Sequence, residues 1–238
     1  ALKDVAERAD DLGDHETTVI AAMLGGHAFL MRQGQFARAQ EVYWRGEQAC
    51  RRNGDQFHLA ALLVNRIGLW SSCGDIDRGM ADLREAILLA REHGQSIIER
   101  TGAYNLAELL LWRDQLEESS QWAQRSLNLQ ERYGLRAAAP ELLLTLRIAA
   151  ARDDRPQVIS GLHSLPADLN PECECFRAVL TTWLHPTPEA WRAVVAQAEA
   201  LLESEQAVEV RALALATGVL DEETARDYRF RGRHRARA

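Results

Sequence analysis

A break in the helical pattern that returns every 40 residues restricts the chain more than any other feature. Gly34-Gln35-Phe36, Gly74-Asp75-Ile76, Asp114-Gln115-Leu116 and Asp154-Arg155-Pro156 lie 40 residues apart, and a second set, Gly54, Gly94 and Gly134, is interleaved at the same spacing. Two breaks per period mean two helices per unit. Between breaks the apolar residues follow helical spacing, as in Leu59, Leu62, Leu63, Ile67 and Trp70, then Ile76, Met80, Leu83, Ile87 and Leu88. Gly54, Gly94 and Gly134 stand where a helix ends and the backbone needs a left-handed residue, which costs glycine least. No stretch alternates as a strand would, so the expected fold is all-α.

Small residues share the period. Ala39, Gly79 and Ser119 align, as do Gly46, Ala86 and Ser126 seven residues further along the same face. Antiparallel helices approach closely only where side chains are short, so these columns are expected at helix crossings. Tyr43, Leu83 and Ala123, aligned between them, would fill the space alongside.

These residues resemble the tetratricopeptide repeat. The third unit resembles it at Leu106-Ala107, Leu110, Ser119, Ala123 and Ser126-Leu127, and the second at Leu63, Trp70, Gly74-Asp75, Gly79, Leu83 and Ala86. The first does so at Leu30, Gly34, Ala39, Tyr43 and Gly46, and Asn65 and Asn105 fit the same motif. Two departures are plain: the period is 40 rather than about 34, and glycine replaces the closing proline. Six extra residues lengthen the helices by roughly 9 Å per unit. The resemblance covers residues 16 to 134 well, weakens towards 165 and fades beyond. It implies a right-handed α-solenoid, a TPR-like superhelix of antiparallel hairpins. This long form resembles arrays attached to bacterial multidomain transcriptional regulators and serine/threonine kinases.

The expected organisation follows. Residues 1 to 14 read as the second helix of a truncated repeat, so the chain is expected to be part of a longer protein with domains upstream. Regular repeats occupy 15 to 54, 55 to 94, 95 to 134 and 135 to 165. From 166 to 228 the prolines crowd and the period is lost; divergent helices are expected near 172 to 184, 188 to 204 and 206 to 217, with Asn170 and Thr187 as caps, and Asp221 capping a short last one. Residues 229 to 238 form a basic tail of five arginines with no acid; the net charge of −7 therefore leaves −12 on the rest.

Chemistry is thinly represented. No nucleophile elbow, phosphate loop or H-E-x-x-H motif is present, so no catalytic activity and no cofactor are expected. Cys50, Cys73, Cys173 and Cys175 are too few and too irregular for a disulfide framework and read as reduced thiols. Cys173 and Cys175, flanked by His163 and His185, lack the second close pair of a structural zinc site, so no metal is expected. No apolar run reaches the length of a membrane span and no signal peptide is evident, so a cytoplasmic protein that does not enter membranes is expected.

Binding is the better-supported expectation. In the family that the repeats resemble, first helices line a concave surface. Carried over by position, this would include Leu24, Met31 and Arg32, then Val64, Ser71 and Ser72. Tyr104, Glu108, Leu111 and Trp112 follow, then Leu144, Ile148 and Arg152. Met31, Arg32, Ser71, Ser72, Tyr104, Glu108, Leu111, Trp112 and Arg152 are the candidate groove residues, suited to a protein or peptide partner with apolar anchors and an acid; upstream domains of the same polypeptide are a further candidate partner. The column Leu24, Val64, Tyr104 and Leu144 suits a packed core equally well. The expected function is a non-catalytic interaction and regulatory scaffold. Its alternatives are a ligand- or peptide-sensing domain that relays to an upstream catalytic or DNA-binding domain and, less favoured, nucleic-acid binding through the arginine tail. With an acidic body and no recognition helix, nucleic acid is not the expected partner.

Overall fold

The computed structural model describes residues 8, 9, 11 to 33, 35 to 132 and 138 to 201. Those residues are all-α, with no strand among them. They form two compact units, one running through Arg113 and the other beginning at Asp114.

In the first unit the helices are α1 (His15–Gln33), α2 (Phe36–Asn53), α3 (Gln56–Asn65), α4 (Ile67–Cys73), α5 (Ile76–Glu92) and α6 (Ser96–Trp112). The second contains α7 (Leu116–Arg132), α8 (Ala139–Ala151), α9 (Arg155–His163), α10 (Pro171–Leu184) and α11 (Pro188–Ala200). Of the helix expected before α1, residues 8, 9 and 11 are helical. The helices expected near 172 to 184 and 188 to 204 are α10 and α11; the segment 206 to 217, Asp221, the tail 229 to 238 and Gly134 lie outside the described residues.

The termini explain the periodicity. Gly54, Gly74 and Gly94 adopt φ of 66°, 73° and 68°, and the residue after each returns its N–H to the last turn, as Asp55 N to Cys50 O at 2.9 Å and Gln95 N to Ala90 O at 2.8 Å. After Gly54 and Gly74 the next helix starts on a side-chain cap, Asp55 accepting from His58 N at 3.0 Å and Asp75 from Arg78 N at 3.3 Å. Asp154 and Asn170 cap α9 and α10 in the same way, accepting from Gln157 N at 3.1 Å and Cys173 N at 2.8 Å. In two places aspartate takes the left-handed position, Asp114 at φ 58° and Asp153 at φ 57°. Asp153 corrects the expected alignment. The counterparts of Asp114-Gln115-Leu116 are Asp153-Asp154-Arg155, because α9 starts 39 residues after α7 rather than 40.

Within the first unit α1 packs on α2, α3 lies between α2 and α5, and α5 packs on α6. The small columns are buried as expected: Ala39, Ser119, Ala86 and Ser126 are fully enclosed. A Cβ on Gly46 would stand 2.6 Å from Ala22 Cβ and 2.7 Å from Leu62 Cδ1, and one on Gly26 would stand 2.5 Å from the ring of Tyr43. The buried Tyr43 ring thus rests directly on the α1 backbone. The second unit has its own core, in which Leu143, Val158, Phe176, Leu180, Trp191 and Val194 meet.

The helix that should run unbroken from 56 to 73 is interrupted at Arg66. The Tyr43 hydroxyl donates to the Asn65 carbonyl at 3.2 Å, and Leu69 N turns to Arg66 O at 3.0 Å. A side chain inserted into the backbone ladder is a recognised cause of such a kink. No helix among the described residues is long and apolar enough to cross a membrane.

Candidate functional site

Arg66, at the kink, projects between two second helices and ties them together. Its Nε and Nη2 donate to Asp82 of α5 at 2.7 and 2.9 Å, a two-pronged pairing. Its Nη1 donates to Glu47 of α2 at 2.5 Å. One turn on, the Trp70 indole N–H donates to the same Asp82 at 2.5 Å, and the Arg66 and Arg78 guanidinium carbons each lie 5.3 Å from the Trp70 ring centroid. Only 8% of the Arg66 side chain is exposed.

Above this floor lies a cleft of about 490 Å³ between α2 and α5. Ala37 and Ala81 keep its walls low, Gln40 and Glu41 stand at its rim, and Trp44 of α2 contributes an indole that is 57% exposed.

The electrostatics favour the ionised forms of Glu47 and Arg66. Burial alone would raise the Glu47 carboxyl, but the hydrogen bonds and charges of Arg66 and Arg51 outweigh it and hold the group below its ordinary value of 4.5. Burial opposes the charge on Arg66, and Asp82 and Glu47 reverse that effect, so its pKa is raised. Arg51 extends the network, pairing with Glu47 and with Glu85 at 2.9 Å. Burial pushes the Tyr43 hydroxyl up to about 12, so it remains a donor.

None of this polarity is demanded by the repeat. The position of Arg66 is taken by Gly26 in the preceding unit, by fully buried Leu106 in the next and by Thr145 in the fourth. Glu47 corresponds to the buried Ile87 and Leu127; Asp82 corresponds to buried Val42, half-buried Trp122 and Gly161; and Trp70 corresponds to Leu110 and Ala149. The apolar stripes of the sequence do not mark this cluster. Its visible signal is a lone arginine inside the apolar run LLVNRIGLW, residues 62 to 70.

The groove residues expected from the repeat position fall on α1, α4, α6 and the end of α8. Ser71 and Ser72 lie half-buried on α4, and Ser71 Oγ is enclosed without a hydrogen-bond partner. Tyr104, Glu108, Leu111 and Trp112 lie half-buried on α6. Val64, Leu144 and Ile148 are core, whereas Leu24 is 57% exposed. Met31 and Arg32 fall at the end of α1, and their side chains lie outside the described residues. Arg152 belongs to the second unit and closes α8, donating to Leu116 O at 2.9 Å and pairing with Glu117 at 3.0 Å. Its counterpart is therefore Arg113 rather than Trp112: Arg113 closes α6 and pairs with Asp77, which stands 40 residues before Glu117.

The thiols are poor nucleophiles. Burial pushes Cys50 up to about 12, and burial likewise raises Cys173 and Cys175. Cys73 alone is exposed. No group of three or more metal-ligating side chains is gathered among the described residues. No protein-family model matches the chain, and no curated protein matches it.

Proposed function

We propose that the chain is a non-catalytic recognition module, a right-handed TPR-like α-solenoid belonging to a larger bacterial signalling or transcription-regulatory protein, that binds a segment of a partner protein. The observation that carries this reading is the placement of Arg66, Glu47 and Asp82 where neighbouring repeats are apolar or neutral. A buried ion pair contributes little to stability over an apolar replacement. Departures from a local folding rule concentrate where a chain meets something else. An exposed tryptophan beside an arginine-centred cleft is also the composition that dominates binding energy at interfaces.

The raised thiols support a module without nucleophilic chemistry. The sensor alternative calls for an enclosed pocket, whereas this cleft runs open along α2 and α5.

Partner capture by the intact chain tests the reading, with Trp44→Ala and Trp112→Ala as paired variants whose circular dichroism matches the parent. A partner lost with Trp44→Ala and kept with Trp112→Ala places recognition on the α2 and α5 side. The converse places it on the α6 face. A partner set identical for all three proteins contradicts recognition at either surface.

A further inference from the structure

We propose that the cleft between α2 and α5 receives a cationic side chain, an arginine carried by an extended segment of a partner protein, stacked on Trp44. This rests on the recognition reading and specifies its chemistry. Trp70, on the floor, already lies under two guanidinium groups of its own chain, those of Arg66 and Arg78. Trp44, on the wall, is 57% exposed, and among the described residues no guanidinium lies over it and no hydrogen bond engages it. The chain has built one arginine–tryptophan stack here and leaves the second ring open.

Acceptors stand beside that ring. Glu41 is one turn before Trp44 on α2; its Oε1 pairs with Arg45 at 2.7 Å across an exposed contact, while Oε2 has no partner among the described residues. Gln40 adds an amide carbonyl at the same rim. A guanidinium is flat and carries donors on its edge, so it can stack on an indole while its edge reaches a carboxylate. Ala37 and Ala81 leave the space that such a side chain would occupy.

The sign of the charge decides between a cation and an anion. Three carboxylates, Glu41, Glu47 and Asp82, line the cleft against two arginines, and the chain as a whole carries −7. The face of an aromatic ring is its negative region, attractive to a cation and repulsive to a carboxylate or phosphate. Of the two arginines, Arg66 is held by Glu47 and Asp82, and Arg78 pairs with Asp75 at 3.2 Å.

The test uses the full chain and an acetylated, amidated Gly-Gly-Arg-Gly-Gly peptide, with citrulline and glutamate in place of arginine as neutral and anionic probes. The readout is the indole N–H resonances of the six tryptophans, that of Trp44 being assigned by its loss in Trp44→Phe. The expected result is a saturable shift of the Trp44 resonance with the arginine peptide, about tenfold weaker with citrulline, and weakened again by Glu41→Gln, an exposed change that leaves the fold intact. No shift with arginine, an equal shift with citrulline, or a shift with glutamate alone overturns the proposal. Changing the five tail arginines, Arg229, Arg231, Arg233, Arg235 and Arg237, to glutamine identifies the source of the cation. Unchanged peptide affinity supports a partner's arginine, whereas affinity raised about tenfold shows the tail as competitor and overturns the assignment to a partner. A partner lost with Trp44→Ala while the arginine peptide leaves Trp44 unmoved would retain recognition and reject only its cationic chemistry.

Discussion

Each of the two units seats a buried tryptophan, Trp70 in the first and Trp191 in the second, and the two settings differ in chemistry. In the first, a guanidinium sits between α2 and α5 and every strong donor in the cluster finds a carboxylate. In the second, Trp191 is 1% exposed among Val158, Phe176 and Leu180, and its indole N–H has no partner. One tryptophan is anchored by a bond to an acid; the other is held by packing alone. The apolar solution was available at the positions of Arg66, Glu47 and Asp82, because Leu106, Ile87 and Val42 use it. The polar solution therefore carries information that the fold itself does not require.

Single and combined substitutions separate these roles. Arg66→Leu alone takes the guanidinium from the half-buried Asp82 and leaves Glu47 with Arg51 as its remaining partner, and should cost about 3 kcal/mol in denaturant unfolding. This is the largest effect expected. Trp70→Phe removes a hydrogen bond to a charged acceptor and should cost about 1.5 to 3 kcal/mol, beyond the loss from a smaller ring. Trp191→Phe removes no hydrogen bond, so only the ring's packing is lost, about 1 kcal/mol. Equal losses for the two tryptophans, measured by the same denaturant titration, would erase the contrast between the units. Gly26→Ala drives a methyl into the buried Tyr43 ring and should lower stability by about 1 to 3 kcal/mol.

Acidity sharpens the same contrast. Glu47 ionises more readily folded than unfolded, so its contribution is fully present above its ordinary value of 4.5 and is lost as the pH falls below it. Stability measured from pH 6 down to pH 3 should fall less steeply in Glu47→Gln than in the parent. The smallest effect is chemical: a disulfide reagent at pH 8 should label exposed Cys73 first and leave Cys50, pushed up to about 12, unmodified until unfolding.

Much of the helical plan was legible in the sequence, for identifiable reasons. Gly54, Gly74 and Gly94 mark helix ends because only glycine takes positive φ without penalty, and all three do. The column of Ala39, Gly79 and Ser119 was readable because close helix approach excludes larger side chains. The break at Asp153 was misplaced by one residue because two aspartates stand together, and aspartate serves equally as a left-handed residue or as a cap. The Val64 and Leu144 positions proved to be core because a helix with neighbours on two sides buries a wider stripe than a single face supplies. The Arg66 cluster was hidden for another reason. Its members come from α2, α5 and the kink between α3 and α4, and no spacing in sequence announces that three separate helices bring them together.

The central claim is that the ionic cluster serves recognition and that the fold can do without it. Its most direct test is the triple variant Arg66→Leu, Glu47→Ile and Asp82→Leu, with unfolding free energy and the Trp44 response to the arginine peptide measured on the same sample. The account predicts stability within about 2 kcal/mol of the parent together with loss of the peptide response. A triple variant that fails to fold, or one that binds the peptide as the parent does, would contradict it.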